Sequence, residues 1–157
     1  MRKRFKRGQS LIEVVVSLGV IVVLAVSLIS TSLITQKTAR TAKNNNAATK
    51  LTQESIEKIR VFRDRQGFSA LRTRLCLTLD SSDVDPVKWK LNDCAAGAEG
   101  EAIELNNTSF NRKIEIDDNG GSLKLVIVTV TWSEPGGIQT VKDQTFLSKW
   151  EMSSPSP

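Results

Sequence analysis

Apolar and polar positions are segregated along this chain rather than mixed. From Leu11 to Ile34 every residue is Leu, Ile, Val, Ala, Gly, Ser or Thr except Glu13. These 24 residues exceed the roughly 20 that a helix needs to cross bilayer hydrocarbon, which predicts a helix that meets a membrane. Beyond the run the polarity changes but the helical period persists. Residues 35–66 hold neither Gly nor Pro, and Ala48, Leu51, Ser55, Ile59 and Phe62 recur at steps of three and four. One helix is therefore expected to continue to about Gln66, with Gly67 as its C-cap. Asn44-Asn45-Asn46 is its weakest stretch, because Asn is a poor helix former and a kink can form there.

The C-terminal part has the period of strands. Val87, Trp89 and Leu91 alternate with Lys88 and Lys90, Ile114 and Ile116 alternate with Lys113, Glu115 and Asp117, and Leu123 to Trp132 is rich in Val and Thr. Asp118-Asn119-Gly120-Gly121 and Glu134-Pro135-Gly136-Gly137 are turn signals. Residues 113–150 thus predict a three-stranded antiparallel meander. Its apolar face is expected from Ile114, Ile116, Val126, Val128, Val130 and Trp132, with Phe146 and Trp150 from the last strand. Such a face needs a cover, and the outer half of the long helix is the available one. The expected class is α+β, a long N-terminal helix packed on a C-terminal antiparallel meander.

Composition narrows the chemistry. The 157 residues include no His and no Tyr, which removes Ser-His-Asp and Cys-His arrangements, His-ligated metals and Tyr acids. No enzyme, cofactor or catalytic residue is expected. The formal charge of +5 comes from 22 cations against 17 acids, and Arg2, Lys3, Arg4, Lys6 and Arg7 supply five of those cations. Without residues 1–8 the charges balance, so there is no electrostatic case for nucleic acid.

A cleaved secretory signal fits the N-terminus poorly. The apolar run is longer than such a signal's, it carries an acid near its start, and no Ala-x-Ala site closes it. A carboxylate within an apolar span costs a few kcal/mol at mid-membrane on insertion scales, less near an interface, and needs a partner or a task. No cation lies within the run, so the partner for Glu13 must come from the N-terminal side, from another subunit, or from an amine created by processing. Cutting after Gly8 would place a new α-amine on Gln9, one helical turn from Glu13 on the same face.

The string Gly8-Gln9-Ser10-Leu11-Ile12-Glu13, behind a short basic leader and ahead of an unbroken apolar helix, resembles the class III signal of type IV prepilins and type II secretion pseudopilins. The resemblance covers roughly the first 35 residues. It implies cleavage by a prepilin peptidase between Gly8 and Gln9, N-methylation of Gln9, and extraction of the helix into a filament core. There Glu13 would pair with the N-terminal amine of a neighbouring subunit. It further implies partners: the peptidase, other pilin or pseudopilin subunits, an inner-membrane assembly platform, and membrane lipid before assembly. Gln9 stands where major pilins usually have Phe, a position at which minor pilins are looser. No proline interrupts residues 20–34, so a continuous helix is expected; Ser30, Thr31 and Ser32 are the local residues able to disturb its backbone bonds. The segment from Val130-Thr131-Trp132 through Gly136-Gly137 to Phe146-Leu147 is similar to the ends of minor pilins of the pilus-modification type.

The implied organisation is a leader (1–8), a transmembrane or filament-core helix (9–35), its amphipathic continuation (36–67), an irregular region (68–112), the sheet (113–150) and a disordered tail (151–157). The N-terminus would be cytoplasmic and the head extracytoplasmic, or at the cell surface in a filament. Lys37, Arg40, Lys43 and Lys50 also follow the span, so charge alone gives only a modest orientation preference. An extracytoplasmic head allows Cys76 and Cys94 to bridge; the other reading is two buried thiols. Zinc would lack ligands. The string Asp80-Ser81-Ser82-Asp83-Val84-Asp85 can be weighed as a calcium loop, but it lacks the Gly and closing Glu of an EF-hand, and a solvated turn before Pro86 explains it as well. The sequons at Asn106 and Asn107 mark a loop. The expected function is a minor structural subunit of a type IV pilus or pseudopilus. The rival is a single-pass membrane-anchored binding or sensor module that does not polymerise.

Overall fold

The computed structural model describes residues 7–149, with side chains from residue 11 onward. Leader residues 1–6, Trp150 and the tail expected at 151–157 lie outside the described residues. The chain divides into two compact units, residues 1–42 and 43–157.

Helix α1 runs Arg7–Gln66 and is helical through Asn44-Asn45-Asn46. Its portion in the first unit carries the apolar run, where Leu11 to Ile34 are exposed on every face. It contains the one candidate membrane span among the described residues. The helix ends where Gly67 takes φ +90 and donates its N–H to the Arg63 carbonyl at 2.8 Å, a backbone conformation that favours glycine.

In the second unit, residues 43–66 of α1 cover one face of a six-stranded antiparallel sheet. The strands are β1 (Arg74–Asp80), β2 (Lys90–Asp93), β3 (Glu101–Leu105), β4 (Thr108–Asp118), β5 (Leu123–Glu134) and β6 (Gly137–Ser148). The order is β2-β1-β4-β5-β6, with β3 paired to β4. β5 and β6 pair without interruption from Leu123↔Ser148 to Glu134↔Gly137, closed by the two-residue turn Pro135-Gly136. The α+β class and the helix-on-sheet cover are as expected.

The core forms where the helix period meets the strand period. Ala48, Ile56, Ile59 and Phe62 face Leu77, Leu79, Leu91, Ile114, Ile116, Val126, Val128, Val130 and Trp132, all buried. Phe110 and Trp132 stack at a tilt, ring centroids 5.6 Å apart. Burying such side chains contributes about 1.5–3 kcal/mol each, so this interface holds the head together.

Three expectations need correction. The region 68–112 is not irregular: it carries β1, β2 and β3, and β4 already begins at Thr108 rather than at 113. The alternation at Val87, Trp89 and Leu91 is only partly a strand. Pro86–Lys88 is a 3₁₀ turn, capped by Asp85 accepting from the Val87 N–H, and β2 starts at Lys90. Finally, Phe146 does not join the core. It pairs with Leu125 on the far face and is 54 % exposed, while Leu147, opposite Lys124, is buried.

Candidate functional site

The residues singled out from the sequence fall in different units. In the first, the Gly8–Gln9 bond lies within the helical backbone of α1; the side chains of residues 7–10 lie outside those described. Glu13 is exposed among Leu11, Ile12 and Val14–Val16, and it makes no ion pair among the described residues. One turn on, the Ser17 hydroxyl donates to the Glu13 carbonyl at 2.7 Å, which satisfies the hydroxyl without involving the carboxylate.

In the second unit Cys76 and Cys94 are bridged, their Cα atoms 5.5 Å apart. The bond ties β1 to the segment after β2, where the Cys94 N–H also donates to the Cys76 carbonyl at 3.3 Å. Beside it lies an open groove of about 580 Å³ lined by Leu75, Ala95, Ala98 and Ile116 together with Arg74 and Asp93. Both cysteines line it, and because they are bridged they present no thiol for nucleophilic chemistry.

The acidic string turns its carboxylates onto its own backbone. Asp80 accepts the Ser82 hydroxyl at 2.8 Å and the Ser82 N–H at 3.2 Å; Asp83 accepts the Asp85 N–H and Asp85 the Val87 N–H. The Ser82 hydroxyl, then the Ser82 N–H, hold the Asp80 carboxyl below its ordinary value of 3.8. The sequons have a backbone explanation too. Asn106 and Asn107 take φ +52 and +61 as the two-residue turn between β3 and β4, the left-handed pair that Asn tolerates.

Sequence reasoning missed a set of polar ties between helix and sheet. Asn44, buried, donates to a Glu134 carboxylate oxygen at 3.0 Å, and the same oxygen accepts the Trp132 indole N–H at 3.0 Å. Arg112 projects from β4 toward the helix. It donates to the Ser55 hydroxyl at 3.1 Å and pairs with Glu101 of β3 at 2.5 Å, its side chain 8 % exposed. Gly100, just before β3, has φ +142, and a Cβ there would lie 2.4 Å from the Arg112 carbonyl oxygen, so only glycine lets the loop approach β4. Lys124 lies over the Phe68 ring, 4.9 Å from its centroid, and donates to the Leu71 carbonyl, fastening the chain where it leaves α1. The available signal was charge at inward strand positions: Arg112 and Lys124 share parity with Ile114 and Val126.

Comparison with protein-family models, with curated proteins and with solved structures yields no match to this chain. The features that bear on function are therefore those of the chain itself: an acid in an apolar helix with no ion pair among the described residues, and a bridged, helix-covered sheet.

Proposed function

We propose that this chain is a structural subunit of a type IV pilus or pseudopilus, and a minor one. It is inserted with its leader in the cytoplasm, cut by a prepilin peptidase between Gly8 and Gln9, methylated on Gln9, and assembled through the apolar part of α1. Glu13 carries the reading. Its carboxylate stands exposed in an apolar helix with no cation among the described residues, five positions after Gly8 in a string that resembles a class III signal. The cut would create an amine where the carboxylate needs one. An acid left in hydrocarbon without a partner costs more than one neutralised by a neighbour's amine, so assembly would be favoured over the lone membrane form. The chain's role is then to be processed and packed, not to catalyse. Its partners are the peptidase, other pilin or pseudopilin subunits and the inner-membrane assembly platform, with lipid as the solvent of the unassembled form.

The test is the mass of the N-terminal peptide from cells with and without the prepilin peptidase, combined with analysis of sheared surface filaments. A peptidase-dependent start at Gln9 and presence in filaments support the proposal. An intact leader on a chain found only as a single species in the membrane would favour the anchored binding or sensor module instead.

A further inference from the structure

Between Ser27 and Thr38 helix α1 carries six hydroxyl residues, where residues 11–26 carry only Ser17. Five of them donate back to the carbonyl four residues earlier: Ser27 to Val23 at 2.8 Å, Ser30 to Val26, Thr31 to Ser27 and Thr35 to Thr31 each at 2.9 Å, and Thr38 to Ile34 at 3.0 Å. In an α-helix each of those carbonyls already receives a backbone N–H from residue i+4, so each oxygen is shared between two donors. Sharing lengthens and weakens the backbone bond, which is how back-bonded Ser and Thr bend helices.

The sharing is weighted to one side. At 3.6 residues per turn four of the five donors, Ser27, Thr31, Thr35 and Thr38, fall within an arc of about 80°, with Glu13 and Ser17 on the same side, and Ser30 widens the arc to about 140°. Lengthened bonds along one side expand that side, and the helix curves with it on the outside. We infer that residues 23–38 form a directional bending segment of α1, with the Ser27-Thr31-Thr35-Thr38 side convex. Its hydroxyls do without proline what proline does by deleting a bond, and every backbone N–H keeps an acceptor, as hydrocarbon requires. The inference does not depend on whether the chain polymerises.

The test uses the full chain in bicelles. N–H residual dipolar couplings give the angle between the axes of residues 12–22 and 35–42, both within the first unit, and the side toward which they bend. The expected result is a bend of about 20° or more with the Thr31 side convex. It should straighten in a variant carrying Ser27→Ala, Thr31→Val, Thr35→Val and Thr38→Val, and persist in one carrying Thr31→Ser, Thr35→Ser and Thr38→Ser, which keeps the hydroxyls. A straight wild-type helix, or a bend unchanged by hydroxyl removal, would overturn the inference. The wild-type measurement stands alone if the Ala/Val variant fails to insert.

Discussion

Asn44 and Glu134, 90 positions apart, are joined by a 3.0 Å hydrogen bond at the point where α1 meets the end of β5. The carboxylate oxygen also receives the Trp132 indole N–H, and Thr108 donates to the Asn44 amide oxygen at 3.5 Å. One residue of the weakest helix-forming stretch is thus fixed by strands from two hairpins. Asn44→Ala should destabilise the head by about 1–2 kcal/mol, because Glu134 loses a donor at a part-buried site. Asn45→Ala, at an exposed position, should change stability by less than about 0.5 kcal/mol. Denaturant unfolding of the two variants side by side checks this, and equal effects would contradict it.

A second prediction concerns Arg112. Its guanidinium is held under the helix by Ser55 and Glu101, and Glu101 is 39 % exposed, so solvent already screens part of the pair. Glu101→Gln should cost about 1–3 kcal/mol, below the range for fully buried pairs, by leaving the cation poorly compensated. Combining it with Arg112→Met should recover part of that loss. A double-mutant cycle reads the coupling, and strict additivity would show that the two side chains do not act as a pair.

The disulfide closes a loop with a sequence separation of 18 residues. Restricting the unfolded chain to that extent is worth about 3 kcal/mol, so the Cys76→Ser, Cys94→Ser variant should lose about that much stability while keeping its strand content. Circular dichroism with urea unfolding, with and without reductant, tests it. Reductant should leave the variant unaffected.

The turn at Asp80 predicts a pH dependence of definite sign. Its folded-state value lies below the ordinary 3.8, so the interaction contributes stability above that pH and loses it as pH falls through the depressed value. Asp80→Asn should therefore lower stability slightly near neutrality, with the difference from wild type vanishing in acid. A difference that grew toward low pH would refute the assignment.

For Glu13 the expectation divides two processes. Glu13→Ala should leave membrane insertion intact or improved, because a carboxylate is removed from the span, while lowering incorporation into filaments. Quantifying the variant in membranes and in sheared filaments separates the two. Normal incorporation would count against a pairing role.

What the sequence disclosed depended on how long each pattern ran. The Ala48-to-Phe62 stripe and the Val-rich β5 repeat their period several times, and both bury the side they indicate. β1 was legible in principle, since Leu75, Leu77 and Leu79 alternate. Its pairing with β4 shifts register between Arg74 and Leu77, and Leu75 is left 82 % exposed. β3 spans only Glu101–Leu105, and its two acids, Glu101 and Glu104, fall on opposite parities, so it shows no two-residue alternation and the Asn106-Asn107 turn was its stronger signal. In β6, adjacent Phe146 and Leu147 offer both parities, and only pairing with β5 decides between them. The polar ties of Asn44, Arg112 and Lys124 were hidden for a different reason. A charge or amide at an inward position acquires meaning only from the partner that folding brings to it.

The tight approach of Gly100 to β4 reaches further than its own loop. A hydrogen atom in place of a side chain lets a solvent-facing hairpin deliver the counter-charge for a cation lodged beneath the helix. Gly97, in the same segment, also holds a positive φ, +80, but a Cβ there would meet nothing within 4 Å, whereas one at Gly100 would meet β4. Variation at this one spot would be felt as an ionic vacancy on the opposite side of the sheet.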